Sequence, residues 1–177
     1  MKDFFNLVKS RRSVRNYLDE KIDREIIKKI ILAGSWAPSA FNKQSIKYFV
    51  LDNPEKIELA SQEILRIKKI KKIGKIRELE DPIFYKAPVV VFLCSKDKSD
   101  WSNRDAMFSL QNCLLAAREL DLGTVAIGMA DLLEGKLKVK EKLGMPIDWH
   151  IEIAFCLGKT EVFPDAQKRK EIDIKFA

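Results

Sequence analysis

The run Val89-Val90-Val91-Phe92-Leu93-Cys94, with the stretch from Ser102 to Leu120 that follows it, decides the architecture. Six consecutive apolar residues have the length of a strand, and the lack of polar alternation suits a strand buried on both faces. The second stretch has helical spacing. Ala106, Leu110, Cys113, Ala117 and Leu120 share one face, while Met107, Leu114 and Leu115 occupy others, so this helix is covered on more than one side. Ser102 with Asp105 three residues later predicts a capping box, and Gly123 a stop.

Toward the C-terminus, residues 124–127 read as a short strand and 133–143 as a helix stopped by Gly144 and Pro146. In 150–157, Ile151, Ile153, Phe155 and Leu157 alternate as in a strand. The tail after Gly158 has little periodicity. Toward the N-terminus, residues 46–51 are β-rich and follow a loop, 36–45, marked by Pro38, Ser39 and Asn42. A helix over 23–34 has Asp23 at its N-cap, with Ile22 and Ile27 placed for a hydrophobic staple. Residues 2–10 predict a short helix, and 11–17 an extended segment.

Residues 54–85 have the least regular pattern. A helix starts after Pro54, but its apolar residues at 64, 67, 70, 73, 76 and 79 step by three. On an α-helix that stripe rotates backwards by about 60° per step. The spacing therefore predicts a break near Gly74 and a mobile, partly exposed segment up to Tyr85. Helices and strands are interspersed, which is an α+β pattern, and 177 residues suit one domain, 1–177.

Composition excludes several classes. The balance of 46% hydrophobic to 33% charged residues is that of a soluble globular protein. No apolar run approaches the roughly 20 residues of a membrane helix, and the first ten lack the apolar centre of a signal peptide, so a cytoplasmic location is expected. Cys94, Cys113 and Cys156 lie far apart in apolar sequence and read as buried thiols. The net charge is +7, and seven Lys or Arg residues fall within 66–77. A basic run without aromatic residues reads as a solvated face, so neither nucleic acid nor a membrane is the expected partner. His150 reads as structural. There is no Gly-x-Gly-x-x-Gly, no P-loop and no metal-ligand cluster.

Three stretches could carry chemistry. In Arg11-Arg12-Ser13-Val14-Arg15, an extended backbone sends Arg11, Ser13 and Arg15 to one side, where guanidinium forks and a hydroxyl suit a phosphate dianion. The same five residues also suit a solvated basic turn. In Ala37-Pro38-Ser39-Ala40-Phe41-Asn42-Lys43-Gln44, Ser39, Asn42 and Gln44 offer donors and acceptors for a ring with imide edges; as a polar turn they need no ligand. In Leu122-Gly123-Thr124-Val125-Ala126-Ile127-Gly128-Met129, Gly128 has no Cβ, so something flat could approach its backbone, although glycines at strand ends are also structural.

Taken together and in order, these stretches resemble the nitroreductase family of flavoenzymes. Ala87-Pro88-Val89-Val90-Val91, Gln111-Asn112 and Leu114-Leu115-Ala116-Ala117 extend the likeness over nearly the whole chain, except about 54–85 and the last dozen residues. The resemblance implies an α+β sandwich with a central antiparallel sheet flanked by helices. It implies a homodimer with FMN at the subunit interface, NAD(P)H as reducing substrate, and a small-molecule electron acceptor.

By position, the resemblance assigns Arg11, Arg12, Ser13 and Arg15 to the phosphate and ribityl end of FMN. Pro38, Ser39 and Asn42 reach the cofactor of the other subunit, with Gln44 in the same motif. The backbone of Gly128 lies at flavin N5, and Arg169 completes the phosphate site. Two departures stand out. Ser45-Ile46 replaces the common Pro-Trp, and Gln167 replaces a late Lys, for which Lys168 or Lys170 could substitute. The implied activity is ping-pong electron transfer from NAD(P)H to nitroaromatics, quinones or similar acceptors. Flavin fragmentation, reductive dehalogenation and basic-surface binding to nucleic acid or membrane are the alternatives.

Overall fold

In the computed structural model, which describes residues 3–74 and 81–176, four strands form one antiparallel sheet. They are β1 (Ile46–Leu51), β2 (Val89–Ser95), β3 (Gly123–Ile127) and β4 (His150–Gly158), in the order β1-β2-β4-β3. Every residue of β2 is buried, as its unbroken apolar sequence predicts. Because strand side chains alternate, Val89, Val91 and Leu93 enter one apolar cluster, and Val90, Phe92 and Cys94 another. The sheet is therefore the middle layer of a sandwich.

On one side lie α2 (Arg24–Ser35) and α4 (Ser102–Glu119), which bury Ile27, Ile30, Ala106, Leu110, Cys113 and Ala117. On the other lie α3 (Pro54–Ile70), the 3₁₀ turn Gly128–Leu133 and α5 (Leu137–Leu143), with Ile57, Ala60, Ile64, Leu133 and Leu143. A short α1 (Phe4–Ser10) packs near α4. The α+β sandwich expected from the sequence is the fold observed. Cys94, Cys113 and Cys156 are free and buried, and burial pushes the Cys94 and Cys113 thiols up to about 12.

Local signals hold where they depend on neighbouring residues. The Asp23 carboxylate accepts from the Glu25 N–H at 2.9 Å, and Ile22 and Ile27 are buried in the same cluster, as a staple requires. Elsewhere tertiary contacts change the outcome. Ser102 and Asp105 form no capping box: the Ser102 hydroxyl donates to the Ser99 carbonyl at 2.9 Å, and Asp105 turns to the distant Ala40 N–H. Leu114, read on a different face from Ala106, Leu110 and Cys113, is buried in the same cluster with them. Leu133 starts no helix. Gly135, at φ 73°, separates the 3₁₀ turn from α5, which begins at Leu137.

Strict alternation in β4 also fails at one point. The register slips between Leu93, opposite Ile153, and Cys94, opposite Ile151, so Ile151 joins the α3-side cluster while Ile153, Phe155 and Leu157 face α4.

Helix α3 shows the drifting stripe. Ile64 and Ile67 are buried, whereas Ile70 is 66% exposed, and the helix ends there, before Gly74. Of the segment expected to be mobile, residues 75–80 lie outside the described residues. The expected exposure up to Tyr85 does not hold from Asp81 onward: Asp81, Ile83 and Phe84 are buried, because the Asp81 carboxylate accepts from the Ile83, Phe84 and Lys86 N–H groups.

The α2–α4 contact depends on Gly34. A Cβ there would meet Cys113 Sγ at 2.4 Å. Gly34→Ala is expected to cost about 1–3 kcal/mol by overpacking, and Cys113→Ala in the same chain to recover part of it. Chemical denaturation of the two single variants and the double variant checks this; additive losses would contradict it.

Candidate functional site

The segment after α1 is held by backbone and packing. Ser13 bridges Thr124 in parallel, the Val14 N–H donates to the Thr124 carbonyl at 2.9 Å, and the Tyr17 hydroxyl donates to the Val14 carbonyl at 2.8 Å. Val14 is 1% exposed and lies over Gly123, where a Cβ would meet it within 3.0 Å. With Val14 turned inward, alternation turns Ser13 and Arg15 outward.

There, Arg11, Arg12, Ser13 and Arg15 line a cleft of about 410 Å³ with Arg169, Gln167 and Asp165 from the tail. Neither Lys168 nor Lys170 is among its lining residues. Four guanidiniums face one carboxylate, so the cleft is positive. The Arg11 guanidinium lies below its ordinary value, first through partial burial and then through the charges of Arg12 and Arg169. An anion would relieve that crowding.

A second cavity, about 560 Å³, is lined by Val125, Ala126, Ile127, Gly128 and Met129, with Arg15, Ile73, Tyr85, Asp131 and Leu132 around them. Arg15 lines both spaces. Nothing among the described residues requires a glycine at 128: its φ is not left-handed, and a Cβ would meet no atom within 4 Å. The open backbone suits a flat ligand.

The turn carrying Gly128 is anchored at Glu134. Its carboxylate accepts from the Ile151 N–H at 2.8 Å and from Lys140 Nζ at 3.0 Å, and lies 2.9 Å from His150 Nδ1. Partial burial would raise the Glu134 pKa, but these three partners hold it below the usual carboxylate range. His150 belongs to this anchor and lines neither cavity.

Pro38, Ser39 and Gln44 line a third, separate space of about 150 Å³ beside Gly34 and Asp105. Asn42 stands next to them, its Oδ1 accepting from Gln44 Nε2 at 3.0 Å. Phe41, Asn42 and Gln44 all have left-handed φ, between 48° and 54°. Two interactions fix the loop: Asp105 accepts the Ala40 N–H at 3.1 Å, and Ser39 Oγ accepts the Gln44 N–H at 3.0 Å. In one chain this group does not share a space with the arginine cleft. Asp81, Tyr85, Asp105 and Glu134 escaped the sequence reading. Asp105 carried a visible signal, its place in the first turn of α4, but that signal pointed to a cap.

Among the described residues there is no cluster of His, Cys, Asp or Glu that could hold a metal ion, and no helix is long and apolar enough to cross a membrane.

Known proteins resemble this chain in sequence and in fold. The nitroreductase family model covers residues 8–159. A Methanothermobacter thermautotrophicus protein named for NADH dehydrogenase and NAD(P)H nitroreductase is 30% identical over 141 residues, which are 75% of this chain and 66% of that protein. Iodotyrosine deiodinase of Thermotoga neapolitana is 24% identical over 99% of this chain and 98% of its own length. Among solved structures, a nitroreductase with bound FMN from Bacteroides fragilis superposes with a TM-score of 0.85 at 22% identity, covering 100% of both chains. The fold is shared at that level of identity, and the match of the family model over 8–159 establishes the rest: this chain belongs to the nitroreductase family.

Proposed function

We propose that this chain is an FMN-dependent oxidoreductase, acting as a homodimer, which takes electrons from NAD(P)H and passes them to a small-molecule acceptor such as a nitroaromatic or a quinone. The observation that carries this reading is the convergence of Arg11, Arg12, Ser13, Arg15 and Arg169 on one cleft, joined through Arg15 to the cavity at Gly128. One compartment suits a phosphate and the other a flat ring, and both lie in the range of ordinary cofactor pockets, about 300–1,000 Å³. FMN in the Bacteroides structure and NAD(P)H in the name of the Methanothermobacter relative support the choice of cofactor and reductant.

Each residue then has a task. Arg11, Arg12 and Arg169 neutralise the phosphate dianion, Ser13 contributes a hydroxyl at the same end, and Arg15 stands at the junction of the two spaces. The backbone N–H of Gly128 is assigned to flavin N5. FMN, when bound, supplies the redox chemistry; the protein orients it and shapes the open face. With FMN bound, Ile73, Met129 and Leu132 would border the space left for a reductant and an acceptor in turn, as a ping-pong scheme requires. Buried free thiols fit a reducing compartment such as the cytoplasm.

The dimer is supported by unburied aromatic surface. Phe4 and Phe5 of α1, Trp36 and Phe41 beside α2, and Phe108 of α4 are each more than half exposed, and α4 adjoins both α1 and α2. Exposed aromatic side chains gathered on neighbouring elements are the kind of surface that an interface covers. Across it, Pro38, Ser39, Asn42 and Gln44 would reach the partner's cofactor, giving a role to a loop that is apart from the cleft of its own chain. Reductive dehalogenation is a second reading, favoured by the deiodinase likeness along nearly the entire chain; halide release from a halotyrosine would select it.

Two predictions follow from these roles. Arg11→Ala with Arg15→Ala is expected to leave a folded protein whose FMN dissociation constant rises about a hundredfold or more, at roughly 1.5–3 kcal/mol per charged contact. Fluorescence titration of FMN checks it, and unchanged affinity would remove the assignment. Gly128→Pro deletes the N–H, with Gly128→Ala as the control for crowding. The Pro variant is expected to bind FMN yet reduce slowly on stopped-flow mixing with NAD(P)H, while Ala stays near wild type; equal rates in all three would show that the N–H has no part.

A further inference from the structure

Tyr85 lines the cavity at Gly128 in a backbone conformation that a tyrosine rarely takes. Its φ is 57°, and that of Lys86 is 55°. Two successive left-handed residues, neither of them glycine, are unfavourable for L-amino acids and persist only where the surroundings impose them.

The surroundings here are specific. Asp81, 6% exposed, accepts on Oδ1 from the Ser61 hydroxyl at 2.7 Å and from the Ile83 and Phe84 N–H groups at 3.0 Å. Its Oδ2 accepts from the Lys86 N–H at 3.2 Å, and the Tyr85 N–H closes the turn on the Asp81 carbonyl at 3.1 Å. Ile83 and Phe84 are buried in the same apolar cluster as Phe92 of β2. With both neighbours fixed, Tyr85 is directed to the cavity.

What Tyr85 meets there is Arg15, whose Cζ lies 5.9 Å from the ring centroid. A hydrogen bond of that guanidinium, from Nη1 to the Ser13 carbonyl, is long at 3.4 Å. Arg15 is also the residue common to the phosphate cleft and the ring cavity. A long side chain at such a junction loses rotamer freedom on binding unless something already restrains it, and an aromatic face does so through cation–π attraction. We propose that Tyr85 is a positioning residue of the cofactor site: the Asp81 turn strains the backbone to hold its ring against Arg15, and the ring keeps that guanidinium at the junction of the two compartments.

The inference rests on the reading that the cleft takes FMN, and a double-mutant cycle read as FMN affinity separates the two. Tyr85→Leu keeps bulk in the turn and removes the aromatic face; Tyr85→Phe keeps the face. Tyr85→Leu should raise the FMN dissociation constant roughly threefold to thirtyfold, the range of a partly desolvated cation–π contact, and Tyr85→Phe should match wild type. In an Arg15→Ala chain, Tyr85→Leu should have no further effect. Asp81→Asn, which turns an amide donor toward the Lys86 N–H, should weaken FMN binding by the same route and likewise add nothing to Arg15→Ala. Thermal denaturation identifies which variants are folded. The proposal is overturned if folded Tyr85→Leu binds FMN like wild type, if Tyr85→Phe loses as much as Tyr85→Leu, or if the penalty persists without Arg15. A wild-type protein that does not bind FMN would instead defeat the cofactor reading on which the proposal stands.

Discussion

The hydrogen bond from the Val14 N–H to the Thr124 carbonyl, 2.9 Å long, fixes the geometry on which the candidate site depends. It pins the segment of Arg11, Ser13 and Arg15 along β3, the strand that leads directly into Gly128. A charged cleft and an open backbone ledge, far apart in sequence, thereby become neighbours. Burial of Val14 over Gly123 reinforces the pairing, since a larger residue at 123 would lift the segment away. The sheet beneath is rigid for a simple reason: β2 is buried on both faces and clamped between two apolar layers.

Three carboxylates perform one job around this frame. Asp81 satisfies the backbone N–H groups of the turn bearing Tyr85, Asp105 holds the loop of Pro38 and Ser39 by the Ala40 N–H, and Glu134 ties the turn after Gly128 to β4. Loops at a binding site cannot be fixed by a sheet ladder, and a buried carboxylate with two oxygens can accept several orphan donors at once. Five of the seven non-glycine left-handed residues among the described residues, Phe41, Asn42, Gln44, Tyr85 and Lys86, occur in the loops held by Asp81 and Asp105; the other two, Lys72 and Asp121, follow the ends of α3 and α4. Strain is thus concentrated where fixed loops border the cavities.

This division explains what could be read from the sequence. The β2 strand and the Asp23 cap with its Ile22–Ile27 staple follow from periodicity and near neighbours, and they stand in the structure; in the Arg11–Arg15 segment, alternation did not foresee that Arg12 joins Arg11, Ser13 and Arg15 at one cleft. Asp105 misled because a helix-start carboxylate has the same local sequence whether it caps its own helix or reaches a loop 65 residues away. The bulge at Glu152 of β4 and the burial of 81–84 were equally invisible, being set by register and by a carboxylate's long-range partners. The arginine cleft was legible as chemistry, but its junction with the ring cavity through Arg15 needed the fold.

Whether two chains complete each proposed site is decided by mixing two defective variants. One carries Arg11→Ala and Arg15→Ala, the other Ser39→Ala and Asn42→Ala in the loop; each homodimer should bind FMN poorly. In a purified hybrid dimer, the loop variant supplies an intact arginine cleft and the arginine variant an intact loop, so one site is whole and the other doubly damaged. The expected result is tight binding of one FMN per hybrid dimer. A hybrid that binds FMN no better than its parents, or a monomer that holds FMN as tightly as wild type, would contradict a site shared between subunits.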